Sequence, residues 1–358
     1  MTAAVDTLAG RTLGQAESRR EEKREPTAGR LPQPGSDIVN HAVERSFRLE
    51  APSGLGAKPR PELIGPVLTH LHDTLQDAVR MGFLHSSRAR GRIPRDIKAA
   101  AEVRYIGHAQ ADGDESATLL RFEVAPFGEA AAGLFAQAQL WDDGPRPEQT
   151  AFELLGAALD DVGRRRAESN RFDPNLLRRI ASYRRMFGRG VLSRIVLPDS
   201  ALPQSPRLDA EIVSSARALS DATPKPRRVR VSGRLDLMGA SQGVLKIHVG
   251  TNGLVTALWD GDGAIDELAT LFNRDVVCEG LGVFRPSGSL LRIDADAIAL
   301  AGEQDAAFGH VPRAVPASDI GRAVRLRSGE APVYAEFLGS VPAEETEEEF
   351  AAAVEAMS

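Results

Sequence analysis

The chain has 358 residues, which is too many for one ordinary hydrophobic core, so we expect two domains with linking and terminal segments. Hydrophobic residues make up 42% of it and charged residues 26%, which is typical of a globular protein that folds in water. The formal net charge of -6 excludes a general attraction to nucleic acid, so a polyanion site must be a local basic patch.

The cysteine content and the hydropathy of the sequence indicate in which cellular compartment we expect the protein. Cys278 is the only cysteine, which excludes an intramolecular disulfide and a zinc site made of several cysteines from one chain. No apolar run approaches the ~20 residues that a membrane-spanning helix needs, and residues 1–25 lack the apolar core of a secretory signal. We therefore expect a reduced, cytoplasmic protein with no membrane contact, and no pattern indicates a cofactor.

The first part of the chain is expected to be an α+β domain at residues 37–197, after a disordered segment at residues 1–36. The segment 1–36 is polar and rich in Gly and Pro, so burial cannot offset the entropy lost by ordering it. Hydrophobic periodicity then predicts a strand at Val43–Leu49 and a helix that begins at Pro66 and ends near Gly82. Further strands are predicted at residues 103–108, 117–124 and 191–197, and further helices at 128–139 and 149–162.

The segment Arg164–Arg194 is the most basic part of the chain, with ten arginines against Glu168 and Asp173. Asp173 followed by Pro174 is the pattern of an N-cap and a first helical residue, so we expect a helix there. Its arginines either solvate a surface helix and pair with acids elsewhere, or contact phosphates while a tyrosine stacks on a base. The candidate residues on this helix are Arg178, Arg179, Tyr183, Arg184 and Arg185.

Residues 227–301 carry the most regular pattern of the chain. Alternation predicts three strands, a short helix at 264–273 and two more strands, with turns at Asn252-Gly253 and Pro286-Ser287-Gly288. This order resembles an OB-fold, and the resemblance implies a small five-stranded barrel with one helix and a face that commonly binds single strands. An SH3-like barrel or an open α+β sheet stays possible. We expect a linker with a short helix (Leu208–Leu219) before it, at residues 198–226, and a second linker after it, at residues 302–332.

Period-two alternation also assigns the two faces of the predicted barrel strands. Gly233 and Gly280 are expected where the strands bend sharply. The residues expected inside include Phe272 of the helix and Leu291, Ile293, Ala295 and Ala297 of the last strand. The outward candidates for nucleic-acid binding are Arg228, Arg230, Arg234, Lys246 and His248, while Trp259 and Phe284 either stack on bases or belong to the core. Residues 225–296 hold nine bases and nine acids, so binding of a protein competes closely with binding of nucleic acid.

Signatures of catalysis are missing from the sequence: there is no Walker loop, no nucleotide-binding G-x-G-x-x-G after a strand, no G-x-S-x-G and no H-E-x-x-H. Asp294 and Asp296 stand two residues apart on a predicted strand, a spacing that metal-dependent nucleases use, and this is a minor alternative. His70 and His72 point to different faces of their helix, so we expect solvated or capping histidines rather than metal ligands.

Residues 333–358 are expected to form an acidic amphipathic helix, with seven acids and no bases from residue 336 onward. The run FLGSVPAEETEEEF at 337–350 resembles the acidic endings of small bacterial proteins that are paired with PIN-type ribonucleases. Those endings carry Phe-Gly-x-Trp-Pro-Gly-Asp-Glu-Thr-x-Glu-Glu, from which this chain departs at Leu338, Val341 and Ala343. The resemblance implies a partner-binding tail of the toxin–antitoxin kind. The candidate partner-binding residues are Phe337, Glu347, Glu348, Phe350 and Val354.

These patterns lead to one main hypothesis and one alternative. The main hypothesis is a bacterial, non-enzymatic protein that interacts with single-stranded nucleic acid through the barrel and the arginine-rich helix. The alternative is an adaptor or antitoxin-like protein whose acidic segment docks on a basic protein partner, or on the arginines of its own chain. A solubilising tail with no partner is the simplest interpretation of the same residues.

Overall fold

The computed structural model describes residues 42–52, 60–88, 93–111, 114–135, 144–187, 192–197, 206–239, 243–251, 253–259 and 265–316. The predicted disordered segment 1–36 and the predicted acidic segment 333–358 lie outside these residues. Residues 198–205 of the linker predicted before the barrel and residues 317–332 of the linker predicted after it also lie outside them.

The first sheet has five strands in the order β2-β3-β1-β4-β5. Each pairs antiparallel with its neighbour, and the hairpin predicted between 103 and 124 is confirmed. The strands are β1 at Val43–Glu50, β2 at Val103–Ala111, β3 at Asp114–Val124, β4 at Arg194–Val196 and β5 at Arg207–Asp209.

Helices cover one side of this sheet and enclose the larger hydrophobic core. They are α1 at Pro61–Leu84, α2 at Arg95–Ala100, α3 at Phe127–Ala130, α4 at Ala132–Phe135, α5 at Ala151–Gly163, α6 at Pro174–Ser182, α7 at Arg184–Phe187 and α8 at Ala210–Ala222. Phe47 of β1 makes edge-to-face contacts with Phe122 of β3 and Phe152 of α5, at centroid distances of 5.2 and 4.7 Å. These three rings join the sheet to the helices through the aromatic geometry that is favoured in protein cores.

The helix predicted to begin at Pro66 begins five residues earlier, at Pro61. Pro61 occupies the first position, where its missing amide is no loss, and the amides of Leu63 and Ile64 already bond to the Arg60 carbonyl. Pro66 then removes one further hydrogen bond in an early turn without ending the helix. In the described part of the chain, no helix is long and apolar enough to cross a bilayer.

The helix predicted to begin after Asp173 is confirmed as α6. The Asp173 carboxylate accepts hydrogen bonds from the amides of Asn175 and Leu176, and Pro174 is the first helical residue. The short helix predicted around 208–219 is α8, but it is not part of a linker. Its residues Ile212 and Ala216 belong to the first hydrophobic core, and β5 just before it extends the first sheet.

The second hydrophobic core is enclosed by a closed barrel of five strands in the order β10-β8-β7-β6-β9. The parallel pairing of β10 with β8, where Ile293 lies opposite Ala257, completes the ring. This arrangement fits an OB-like barrel, and the predicted mixed α+β class is confirmed. The elements are β6 at Arg227–Gly239, β7 at Val244–Val249, β8 at Gly253–Trp259, α9 at Ile265–Thr270, β9 at Asp275–Phe284 and β10 at Leu290–Leu300.

Three residues expected inside the barrel, Phe272, Leu291 and Ala297, do not pack in its core, and Leu291 packs in the first hydrophobic core instead. Phe272 follows the end of α9 and is 54% exposed. Ala297 is exposed because β10 has a register shift against β9 between Ala295 and Ala297. One extra residue in a strand reverses the alternation beyond it, so Ile298 rather than Ala297 packs against the barrel core.

Gly233 and Gly280 lie where two barrel strands approach each other closely. A Cβ atom on Gly233 would overlap the carbonyl oxygen of His248, and one on Gly280 would overlap that of Asp294. Glycine is required at both positions because a backbone oxygen cannot move aside as a flexible side chain can.

The barrel and the first domain share a buried ion-pair cluster. The Arg292 guanidinium of β10 lies 3.0 Å from Asp294 and 3.3 Å from Asp173, and it donates to the His85 carbonyl at 3.0 Å. All three charged side chains are buried. Val283 and Leu291 of the barrel also pack in the first hydrophobic core rather than in the barrel's own. The two parts therefore share apolar packing and a buried charge network.

Replacing Arg292 by methionine is expected to lower the free energy of unfolding by about 3–5 kcal/mol, because it leaves two buried carboxylates without their counter-ion. Arg228→Met is the matched control, since its pair with Asp296 is exposed and such pairs contribute about 0–1 kcal/mol. Urea unfolding of both variants measures the difference. Equal midpoints for the two variants would show that the buried cluster does not hold the two parts together.

Gly280→Ala is expected to disrupt the barrel, whereas Gly65→Ala in α1, where an added Cβ meets open space, is expected to be neutral or slightly stabilising. Cys278 reports the difference because it is fully buried in β9, and burial raises the pKa of its thiol to about 12. At pH 8 a thiol reagent should label Gly280→Ala without denaturant but leave the Gly65→Ala protein unlabelled. Slow labelling of both would contradict the packing constraint at Gly280.

Candidate nucleic-acid interface

A cleft of about 1070 Å³ lies between the first domain and the barrel. On the first domain it is lined by residues of α1, α5, the 144–149 loop and the loop that follows α5. On the barrel it is lined by Lys246 of β7, Leu254 and Thr256 of β8, and Arg285 after β9. Clefts between two domains are common positions for binding sites.

Basic side chains outnumber acidic ones along the cleft. The basic residues are Arg146, Arg166, Arg171, Lys246 and Arg285, and the acidic residues are Asp161 and Glu168. Concave surfaces lined mainly by one sign of charge concentrate the field and attract ligands of the opposite sign. The cleft is therefore a local basic surface on a chain whose net charge is negative.

Asp161 organises the loop that follows α5. Its carboxylate is 3% exposed and accepts hydrogen bonds from Arg166 at 2.9 Å, Arg171 at 3.0 Å and the Ser169 hydroxyl at 2.7 Å. The Arg166 amide also donates to the Asp161 carbonyl at 2.9 Å. One carboxylate thus orients two half-exposed guanidinium groups towards the cleft and neutralises only one of them.

The same loop binds the turn between β9 and β10. The Ser289 hydroxyl donates to Glu168 at 2.6 Å, and Arg285 donates from its Nε to the Asn170 side-chain oxygen at 3.0 Å. The hydrogen bond from Ser289 holds the pKa of the Glu168 carboxyl below its usual value. Burial lowers the pKa of Arg285, which marks its guanidinium as partly desolvated at the wall of the cleft.

The barrel contributes a face built from cross-strand neighbours. Lys246 lies opposite Thr256, and His248 lies opposite Leu254, in the register of β7 and β8. Arg234 of β6 lies opposite His248 on the other side. Cross-strand partners project from the same face of a sheet, so Arg234, His248 and Leu254 form a row. Leu254 is 48% exposed, so the row ends in an apolar side chain that is open to solvent.

The structure separates the remaining arginines of β6 from this face. Arg228 pairs with Asp296 at 3.1 Å. Arg230 lies 2.9 Å from Glu279 and 2.8 Å from Asp305, and its guanidinium covers the Phe308 ring at 4.7 Å. Acidic neighbours thus compensate both charges, and of the three arginines predicted on this strand only Arg234 adjoins Lys246 and His248.

The arginine-rich helix does not contribute to the lining of the cleft. Arg179 pairs with Asp73 at 3.1 Å and with Asp77 at 2.9 Å, while Arg178, Arg184 and Arg185 are exposed. Tyr183 is 0% exposed, and its hydroxyl lies 3.0 Å from that of Thr74. The expectation that Tyr183 stacks on a base is therefore wrong, because its ring is covered by protein and is part of the first core.

The two aromatic residues expected near the barrel loops also pack inward. Phe284 is fully buried, with the Arg227 guanidinium 5.2 Å above its ring. Trp259 packs partly against the barrel core, and its buried indole nitrogen has no hydrogen-bond partner within the described residues. Neither ring lines the cleft. A ligand in the cleft would therefore meet charged, polar and aliphatic groups and the imidazole of His85, but no Phe, Tyr or Trp ring of the described residues.

The aspartates considered for a metal site are each matched by an arginine. Asp294 is buried against Arg292, and the exposed Asp296 pairs with Arg228. A catalytic metal pair needs uncompensated negative charge, which this pairing removes. His70 lies 3.0 Å from the Pro66 carbonyl and His72 lies 2.7 Å from the Gln76 side chain, so both form hydrogen bonds within their own helix.

Sequence reasoning missed Arg146, Arg166, Arg171 and Arg285 as site residues. They come from three separate segments and converge only after the barrel packs on the first domain. The residues predicted for partner binding, from Phe337 to Val354, lie outside the described residues, and their role stays a prediction. Searches of protein-family models, curated proteins and solved structures found no match to the chain.

Asp161→Asn is expected to destabilise the loop after α5, because charge-assisted hydrogen bonds to two arginines are lost; a cost of about 2–4 kcal/mol fits a buried carboxylate. Its neighbour Asp160 makes only a partly exposed pair with Arg164 one turn away, so Asp160→Asn should cost less than about 0.5 kcal/mol. Urea unfolding and the rate of trypsin cleavage after Arg166 measure both effects. Identical cleavage rates would contradict the organising role of Asp161.

Proposed function

We propose that this protein is a non-enzymatic binder of single-stranded nucleic acid and that the cleft is the binding site. The observation that supports this most is the meeting of the β7–β8 face of an OB-like barrel with a lining in which basic residues outnumber acidic ones. The second and third strands of OB-folds commonly present the face on which oligonucleotides bind. Here the corresponding strands contribute Lys246, His248, Leu254 and Thr256.

Single-stranded ligands suit this site better than a duplex. The cleft is concave and its lining is partly polar and partly apolar, whereas duplex recognition places a helix or a ribbon into a groove of the nucleic acid. A flexible backbone can follow the row from Arg234 to Leu254 and enter the cleft at Lys246. Guanidinium planes such as that of Arg166 stack on unpaired bases, which offsets the lack of Phe, Tyr and Trp rings in the lining.

The chemistry of the lining indicates what kind of selectivity to expect. Phosphate contacts by arginine and lysine are independent of sequence, and their contribution falls steeply with salt. The exposed Arg178, Arg184 and Arg185 on α6 and α7 add a second basic surface, which increases attraction at long range. We therefore propose weakly sequence-selective binding that is sensitive to ionic strength.

Lys246→Glu is expected to weaken binding of a fluorescent oligothymidine or oligouridine by about tenfold at low salt, and to reduce the slope of log affinity against log salt by about 0.7 for the lost phosphate contact. Fluorescence anisotropy across a salt series measures both. Arg217→Glu is the matched control, because Arg217 is exposed on α8, pairs with Asp221 and does not line the cleft.

The control has the same change in net charge, so an equal loss of affinity in both variants would point to general electrostatics rather than to this cleft. Failure of the unmodified protein to bind either oligonucleotide at low salt would refute the proposed function.

A further inference from the structure

The last described residues run beside the cleft. Ser289, in the turn between β9 and β10, pairs with Arg313 as an antiparallel bridge, and the Ala314 amide donates to the Gly288 carbonyl at 2.7 Å. The ring of Pro316 also packs close to Gly288. This is the turn that binds Glu168 through Ser289 at the wall of the cleft. The chain beyond residue 316 therefore starts at the edge of the basic surface.

We infer that the acidic segment, defined as residues 336–358, docks in the cleft of its own chain and competes there with nucleic acid. Charge complementarity and chain connectivity support the docking, whereas the competition with nucleic acid rests on the proposed function. The occupant is a segment of this chain rather than a separate protein.

Charge complementarity supports this occupant. From residue 336 onward the chain has seven acidic and no basic residues, five of them within Glu344–Glu349. The cleft has five basic residues against two acidic ones, and one of those acids, Asp161, already serves two arginines. A carboxylate-rich segment presents oxygen acceptors to arginines much as a phosphate backbone does, so both ligands suit the same guanidinium groups.

The connecting chain is long enough for this docking. Residues 317–335 separate Pro316 from the acidic segment, and a chain of this length can reach at most roughly 65 Å when fully extended. A ligand tethered this closely acts at an effective concentration in the millimolar range. Weak individual ion pairs then suffice to occupy the cleft, and a free oligonucleotide must displace them.

Zero-length carbodiimide cross-linking of the full chain tests the docking without nucleic acid. The chain has only five lysines, and Lys246 lines the cleft while Lys98 and Lys225 are exposed elsewhere. The expected product is an amide between Lys246 and a glutamate of 344–349 in monomeric protein, mapped by mass spectrometry. High salt should suppress it. Lys246→Arg keeps the charge but cannot form the bond, so that variant should lose the product.

Two other outcomes would contradict docking of the acidic segment in the cleft of its own chain. Cross-links from the acidic segment mainly to Lys98 or Lys225, or none to Lys246, would place the segment elsewhere. A mixture of isotope-labelled and unlabelled protein that gives mixed cross-links would show docking between two chains instead of within one.

Oligothymidine anisotropy tests the competition. Replacing the five glutamates of the acidic run with glutamine is expected to raise affinity about tenfold at low salt and to have little effect at high salt, where screening weakens both ligands. The replaced residues are Glu344, Glu345, Glu347, Glu348 and Glu349. Unchanged affinity at low salt would overturn the competition. If the cross-link forms but no variant binds oligonucleotide, the proposed function fails while the docking stands.

Discussion

The buried contact of Arg292 with Asp173 and Asp294 determines how the two halves of this protein meet. Taking three charges out of water costs several kcal/mol for each ion, and only close pairing offsets that cost. Asp173 also caps α6 and accepts hydrogen bonds from the Ser87 amide and hydroxyl. These contacts fix the positions of three elements relative to one another: the end of α1, the start of α6 and the last barrel strand. The cleft lies beside this contact.

The distribution of acidic residues explains how a negatively charged protein presents a basic cleft. Many carboxylates lie next to arginines on other surfaces, as Asp77 does with Arg179 and Glu279 with Arg230. These pairs neutralise Arg179 of the arginine-rich helix and much of the first barrel strand. The arginines of the cleft have fewer acidic neighbours, so positive charge remains where the two domains meet. The barrel has equal numbers of basic and acidic residues, so its net charge does not show that positive charge remains at the cleft.

Features that depend on neighbouring residues could be predicted from the sequence. Alternation located the barrel strands, and Asp173 with Pro174 located the start of α6, because caps and strand faces are local properties. The prediction failed at Pro66, since tertiary packing extends the helix in front of it, and at Ala297, since a bulge leaves no distinct sequence signal. The cleft was not predictable because its arginines meet only through contacts between distant segments.

The sharing of Val283 and Leu291 between the barrel and the first core has a consequence for synthesis on the ribosome. The helices and sheet of the first domain emerge first, but Val283, Leu291 and Arg292, the counter-ion of Asp173, emerge about 60 to 70 residues after the end of α8 at Ala222. Until β10 has been translated, the nascent first domain exposes the apolar surface that Val283 and Leu291 later cover, and Asp173 lacks its counter-ion Arg292. Completion of its fold is thereby postponed to the end of the barrel, and incomplete chains are the species most exposed to aggregation and to chaperones.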